Sequence, residues 1–124
     1  MIHFPDRIKM GNRIKEISEL KENWDGYGAK SFSEPVIKRC RSLLSVLPCP
    51  MTIYAGNDGS VLFESPVNSK RYYNFTVHED HISFYYIDAF SDTHLMPNIP
   101  QDYLIDFLKG MCKDDKDNLI WYNN

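Results

Sequence analysis

The spacing of apolar residues changes along the chain, from a helical period in the first half to a strand period after residue 51. Apolar residues on one stripe between Ile8 and Leu20 predict a first helix, whose start is left open because Gly11 weakens it. A second helix is predicted to begin after Ser33, a natural N-cap, and to end at Pro48. Its stripe consists of Val36, Cys40, Leu43, Leu44 and Leu47.

The first predicted β-hairpin joins residues 52–55 to residues 61–64. A three-residue loop, 57–59, with Gly59 in the left-handed conformation pairs Ile53 with Phe63. We prefer this loop to a two-residue Asp-Gly turn because it collects four apolar residues on one face.

A second hairpin is predicted to join residues 72–77 to residues 82–87, with Val77 opposite Ile82. One face of this pair is then entirely apolar or aromatic, which determines the register because that face has to be buried. The other face carries the pairs Tyr72/Ile87, Asn74/Tyr85, Thr76/Ser83 and His78/His81.

The remaining sequence predicts a loop over residues 88–99 and a third helix from near Pro100. The buried side of that helix is expected to consist of Leu104, Phe107, Leu108 and Met111. The apolar segment 119–122 is expected to pack back on the domain. The prediction is therefore a single α+β domain over residues 1–124, with two N-terminal helices, a four-stranded antiparallel meander sheet, and a C-terminal helix packed on one sheet face.

Composition and charge narrow the classes of function. The 124 residues carry a net charge of −3 and have no apolar run long enough to cross a bilayer, so a membrane partner is not expected and nucleic acid is disfavoured. The first seven residues lack the layout of a signal peptide. Cys40, Cys49 and Cys112 are odd in number and widely spaced, which predicts neither a zinc ribbon nor a disulfide framework. We therefore expect a cytoplasmic protein with three reduced thiols.

The most distinctive segment is residues 23–29, Asn-Trp-Asp-Gly-Tyr-Gly-Ala. Trp24, Asp25 and Tyr27 are candidate partner-binding residues because exposed aromatic side chains anchor interfaces. The alternative, which we favour, is that Trp24 fills the core while Asp25 and the two glycines close a turn. The sequence does not decide whether Trp24 is buried.

The same segment resembles the signature of a family of small bacterial proteins, NWDGxGA. In that family a Ser-led helix ending in Leu-Pro follows, and then a DG turn and a strand. Here Ser33, Leu47-Pro48, Asp58-Gly59 and residues 61–64 come in that order, although Ser65 replaces the tryptophan that is common after the strand. The resemblance covers roughly residues 14–77. It implies an association with mobile or accessory genes, and it implies no activity and no catalytic residues.

Two groups of side chains are candidates for metal binding or catalysis. His78 and His81 face each other across the predicted hairpin, where two imidazoles can share a metal with Glu79 or Asp80 as a third ligand. In the predicted loop, Asp88 or Asp92 is placed to orient His94 for acid–base chemistry. An exposed hairpin tip and a solvated loop explain both groups without a function, so no cofactor and no catalytic residue are assigned.

The non-core sheet face, with Tyr72, Asn74 and Tyr85, is the favoured surface for a partner. We expect another protein there, and the alternatives are a second copy of the chain, the C-terminal segment, or a base-stacking platform for a ligand or nucleic acid. The leading hypothesis is a non-enzymatic interaction or regulatory protein that binds or neutralises another protein. Its rival is a small metal-binding or hydrolase-like protein using His78/His81 and Asp92/His94.

Overall fold

The computed structural model describes residues 4–67 and 69–113, which form three helices and a five-stranded sheet. The elements along the chain are α1 (Phe4–Ser18), α2 (Glu34–Val46), β1 (Thr52–Ala55), β2 (Val61–Glu64), β3 (Tyr73–Val77), β4 (Ile82–Ile87), β5 (Thr93–Met96) and α3 (Gln101–Cys112). The α+β class with an antiparallel sheet is therefore confirmed, and the predicted number of strands is wrong by one.

Each strand pairs with the next one in antiparallel fashion, so the sheet order is β1-β2-β3-β4-β5. Both predicted registers are confirmed, with Ile53 opposite Phe63 and Val77 opposite Ile82. The first hairpin has the predicted loop, because the N–H of Gly56 donates to Ser60 and Gly59 has a φ of +88°. The period-two pattern determined the register in both hairpins because only one face of each could be buried.

The fifth strand corrects the prediction of a loop over residues 88–99. The N–H of Asp88 donates to the Asp92 carbonyl and the N–H of Ser91 to the Asp88 carbonyl, which closes a three-residue turn of the same kind as the first hairpin. The left-handed residue in this turn is Ser91, with a φ of +68°. Because serine is not the residue that this conformation favours, the turn carries no glycine signal in the sequence.

The core lies between one face of the sheet and the three helices. The sheet contributes fully buried aromatic side chains, of which Phe63 and Phe75 stack with ring centroids 4.5 Å apart. The helices contribute aliphatic residues that are also excluded from solvent: Ile14, Ile17, Val36, Leu43, Leu104 and Leu108. Burying apolar area of this kind is the main stabilising term, at about 25 cal/mol per Å².

Helix details depart from the prediction at two positions. Ser33 does precede α2, but its hydroxyl makes no capping bond and is buried without a partner. Phe107 was expected on the buried side of α3 and is 38% exposed, whereas Ile105 is buried in its place. The predicted packing of residues 119–122 lies outside the described residues.

The prediction of three unpaired cysteines is wrong for two of them. Cys49, in the segment between α2 and β1, forms a disulfide with Cys112 at the end of α3, beside the hydroxyl of Tyr73. Their 63-residue separation hid this contact, because proximity here depends on how both helices pack on the sheet. Cys40 is free and fully buried, and burial raises the pKa of its thiol to about 12.

Candidate functional site

The sheet face opposite the helices carries the strongest candidate surface. Successive strand pairings place Glu64, Asn74, Tyr85 and Leu95 in one row across β2, β3, β4 and β5. Side chains in such a row are nearest neighbours, with Cβ atoms about 4.5–5.5 Å apart. Tyr72 lies just before β3 on the same face, since side chains alternate along a strand.

Four of these residues form a connected group, which we call the Tyr72 cluster: Glu64, Tyr72, Asn74 and Tyr85. The Tyr72 hydroxyl donates to Glu64 Oε2 over 2.7 Å. The Asn74 side-chain amide donates to the same hydroxyl oxygen over 2.8 Å. The rings of Tyr72 and Tyr85 meet edge to face with centroids 5.9 Å apart. The cluster is thus ordered by two hydrogen bonds and a ring contact within the chain itself.

The pKa of Tyr72 is raised from 10.0, chiefly because partial burial disfavours the charged phenolate and also because the hydroxyl bonds to Glu64. The bond from Asn74 opposes this shift by stabilising the phenolate. Tyr72 is therefore a neutral donor at neutral pH, and its proton stays on the Glu64 bond. The pair presents one carboxylate with an oxygen left to accept a hydrogen bond from outside.

Apolar side chains surround this polar centre. Tyr54 on β1 is 44% exposed and Leu95 on β5 is 65% exposed, and Leu62 and Ile87 are half-buried between them. The buried residues of all three helices belong to the core on the opposite face. Aromatic side chains such as Tyr54, Tyr72 and Tyr85 are enriched in protein-binding surfaces, whereas a central carboxylate such as Glu64 is unusual there.

The signature loop, residues 20–32, is closed mainly by its own hydrogen bonds. The Trp24 indole N–H donates to the Lys30 carbonyl over 3.0 Å, and the ring packs against the core beside Phe32. One carboxylate oxygen of Asp25 accepts from the N–H groups of Tyr27 and Ala29. These contacts explain Trp24 and Asp25 as structural residues. Of the three candidate residues in this loop, Tyr27 alone is exposed, at 93%.

The structure brings Tyr72, Asn74 and Tyr85 together but keeps this group apart from the candidates of the signature loop. The signature loop is joined to the turn after β1, where the N–H of Lys30 donates to the Asn57 carbonyl. Tyr72 lies at the other end of the strands, where its carbonyl accepts from the N–H of Ile87. Tyr27 and the Tyr72 cluster are consequently two separate surfaces.

His78 and His81 do meet across the turn between β3 and β4. Their rings stack with centroids 4.2 Å apart and planes 8° from parallel. A nitrogen of each ring is already bonded, Nε2 of His78 to Ser83 Oγ and Nδ1 of His81 to Asp80. Lone pairs of stacked rings lie in parallel planes, so a shared metal needs one ring to rotate. Within residues 4–67 and 69–113, no group of three His, Cys, Asp or Glu side chains is arranged to hold a metal.

The Asp88–His94 pair also forms, over 2.8 Å between Oδ2 and Nε2. The other oxygen of Asp88 accepts from the N–H groups of Phe90 and Asp92, so this carboxylate closes the turn before β5. The hydrogen bond from His94 and those from the turn lower the pKa of Asp88 below 3.8. Asp92, the other predicted partner of His94, contributes its backbone to this turn.

Sequence reasoning missed two members of the outer face, Glu64 and Leu95. Glu64 reaches Tyr72 because β2 pairs with β3. The predicted meander implies this pairing, but its register was not assigned from the sequence. Leu95 belongs to the strand that was predicted as loop. The alternation of Leu62 and Glu64 with buried neighbours was the available signal for the first residue.

Comparisons with protein-family models, curated proteins and solved structures find no significant match to this chain. The resemblance to the NWDGxGA family therefore remains a prediction from the motif. No helix among the described residues has both the length and the apolar character to span a membrane.

Proposed function

We propose that this protein acts by binding another protein through the Tyr72 cluster and its apolar surround. The observation that supports this most is the contrast between the two sheet faces. One face is covered by three helices, whereas the other presents an edge-to-face pair of tyrosines, one of them hydrogen-bonded to Glu64, with the exposed side chains of Tyr54 and Leu95 beside it. We also propose, on the motif alone, that the chain belongs to the NWDGxGA family and works as an accessory factor. The Cys49–Cys112 disulfide removes the argument from three reduced thiols for a cytoplasmic location.

The chemistry of the Tyr72 cluster indicates what kind of partner it would bind. Glu64 offers a carboxylate oxygen at the centre of the surface, because Tyr72 occupies only one of its two oxygens. A partner that brings a guanidinium or ammonium group to this point, with apolar side chains around it, satisfies both parts of the surface. Such a partner also complements the net charge of −3.

A nucleic acid is a poorer fit to the same surface. Stacked bases need aromatic faces that are open to solvent, and here Tyr72 and Tyr85 are partly buried and pack edge to face. The carboxylate of Glu64 also repels a phosphate backbone. The nucleic-acid alternative therefore ranks below a protein partner.

The test is an affinity pull-down from the source cells with three tagged proteins. These are the wild type, Tyr72→Ala/Tyr85→Ala, and Tyr27→Ala as the matched control on the signature loop. We expect a captured protein that is lost with the double variant and kept by the control, and whose purified form binds the wild type directly. If capture is lost with Tyr27→Ala and kept by the double variant, the binding site lies on the signature loop and not on the Tyr72 cluster. No capture by any of the three would contradict the proposal.

A second candidate function is acid–base chemistry at His94, which the Asp88–His94 hydrogen bond favours. The orienting bond is made by Nε2, so Nδ1 is the nitrogen left to exchange a proton. Turnover of a generic ester or phosphoester that His94→Gln abolishes would support this candidate. The metal-binding alternative predicts that zinc stabilises the wild type and does not stabilise His78→Gln/His81→Gln.

A further inference from the structure

The two edges of the sheet differ in how their backbone groups are occupied. At the β1 edge, the guanidinium of Arg13 donates through Nε to the Ile53 carbonyl over 3.2 Å. At the β5 edge, the hydrogen bonds of the described residues leave the outward groups without a partner. An open edge strand is a template for pairing with another chain, and proteins usually protect it.

The register identifies which groups are open. The bond from Asp88 N–H to the Asp92 carbonyl sets the phase of the β4–β5 ladder, so His94 and Met96 bond toward β4. The N–H and C=O groups of Thr93 and Leu95 therefore point outward. Both residues are exposed. The strand has only four residues, none of them Asp, Glu, Lys or Arg, and Leu95 gives it an exposed apolar side chain.

Apolar side chains also flank this edge on the helix side. Phe107 contacts Phe84 and Tyr86 of β4, which places this side of α3 over the β4–β5 half of the sheet. Tyr103 lies one helical turn before Phe107 on the same side of α3 and is 64% exposed. Phe90, in the loop between β4 and β5, is 86% exposed.

From this arrangement we infer that the β5 edge pairs with β5 of a second copy of this chain, in a two-fold symmetric dimer with a ten-stranded sheet. The best register places Thr93 of one copy opposite Leu95 of the other, because it gives all four outward N–H groups and all four outward carbonyls a partner. Centring the axis on Leu95 would bring in Pro97, which has no N–H. Centring it on Thr93 would bring in Ser91, whose φ of +68° is not that of a strand.

A second copy fits this edge better than an isolated peptide strand does. Neighbouring strands lie about 4.8 Å apart, so the two β4 strands of the dimer are about 14 Å apart. Because Phe107 contacts β4, the two α3 helices of this dimer lie near the same separation, which is wider than the roughly 8–10 Å between directly packed helices. Tyr103 and Phe107 from both copies then occupy the space between the two helices. A lone strand would leave these side chains in water.

The exposed area is sufficient for such a contact. Aromatic side chains bury about 150–250 Å² each. The exposed fractions of Leu95, Phe90, Tyr103 and Phe107 therefore amount to roughly 400–500 Å² per copy. Together with the backbone of β5, this approaches the roughly 600–800 Å² per partner of specific interfaces. The Tyr72 clusters of both copies then lie on one face of the continuous sheet.

The test measures amide hydrogen exchange and mass on the full chain over a range of concentrations from about 1 to 300 µM. We expect the mass to double, and the amides of Thr93 and Leu95 to become protected as it does, while those of His94 and Met96 are protected throughout. A monomer at every concentration would overturn the inference. So would protection of Thr93 and Leu95 that does not depend on concentration, since that indicates pairing with a segment of the same chain.

Leu95→Pro provides the matching variant, because it removes an outward N–H and leaves the bonds to β4 in place. We expect it to weaken dimerisation at least tenfold, while protection of His94 and Met96 shows that β5 still pairs with β4. Tyr54→Lys on the β1 edge is the control and should leave the dimer unchanged. A dimer that survives Leu95→Pro and is lost with Tyr54→Lys or Tyr85→Ala would place the contact elsewhere. If Leu95→Pro disrupts the pairing of β5 with β4, the concentration dependence of amide exchange in the wild type still tests the dimer.

Discussion

The turn before β5 allows a sharp test of the fold, because it repeats the β1–β2 turn with a different residue at the same position. Gly59 and Ser91 both end a three-residue loop with positive φ, at +88° and +68°. Glycine adopts this conformation without strain, whereas a residue with a Cβ does not. We predict that Ser91→Gly stabilises the protein and that Gly59→Ala destabilises it.

The magnitudes follow from two opposing terms. A left-handed conformation costs a residue with a Cβ roughly 1–2 kcal/mol. A glycine at this position also stabilises the unfolded chain by about 0.4–1 kcal/mol through its greater conformational entropy, which offsets part of the gain in the folded state. Ser91→Gly should therefore raise the free energy of unfolding by about 0.5–1 kcal/mol. Gly59→Ala should lower it by a similar amount, with an added contribution from the new Cβ at 3.4 Å from the Ser31 carbonyl oxygen.

Urea and thermal unfolding of the purified variants measure these changes. For a chain of this size, we expect a rise in Tm of about 2–5 °C for Ser91→Gly. Ser91→Ala is the matched control, because it keeps the Cβ and removes an exposed hydroxyl that makes no hydrogen bond in the structure. Its stability should equal that of the wild type. If Ser91→Gly destabilises the protein, or if Ser91→Ala reproduces its gain, then backbone strain at this turn is not the cause.

Three further predictions concern groups elsewhere in the fold. Ser33→Ala should lower the free energy of unfolding by well below the roughly 1 kcal/mol that loss of an N-cap usually costs, because the Ser33 hydroxyl makes no capping bond. A decrease of about 1 kcal/mol in urea unfolding would contradict this. The pKa of His78 is lowered from 6.5, mainly by desolvation and then by His81, so its contribution to stability is complete above pH 6.5 and is lost as the pH falls below it. The free energy of unfolding should therefore fall more between pH 7 and 5 in the wild type than in His78→Gln, and equal slopes would refute this. A thiol reagent should detect one thiol per oxidised chain, that of Cys40, and only in denaturant, whereas reduction of the disulfide should lower stability by up to about 4 kcal/mol.

Local sequence patterns predicted the two hairpins. The features that these patterns missed depend on packing between distant parts of the chain. The registers around Gly59 and at Val77–Ile82 follow from alternation over a few residues, and both are confirmed. The β5 strand has only four residues, none of them buried, so it offers no apolar alternation to recognise. The contact of Cys49 with Cys112 joins the segment after α2 to the end of α3, and these are distant in the sequence.

The exposure of Phe107 has a similar origin. Helical spacing predicted a buried stripe on α3, and Leu104 and Leu108 do lie in it. Phe107 lies at the margin of that stripe, where its burial depends on what lies beyond β4. Among residues 4–67 and 69–113, the sheet continues beyond β4 only with β5, and the ring stays partly in water. The sequence pattern cannot distinguish such a marginal residue from a core residue, because both have the same apolar character.

The candidate surface was predictable to the extent that it depends on register. Once Val77 is placed opposite Ile82, Asn74 has to face Tyr85, because a shift by one residue would turn every side chain to the other face. The hydrogen bond from Tyr72 to Glu64 requires the additional pairing of β2 with β3. That pairing converts two partly exposed tyrosines into a pre-ordered group with a carboxylate at its centre. Glu64→Gln should therefore weaken binding of the proposed cationic partner while leaving this pre-ordered group in place, because the variant removes only the charge.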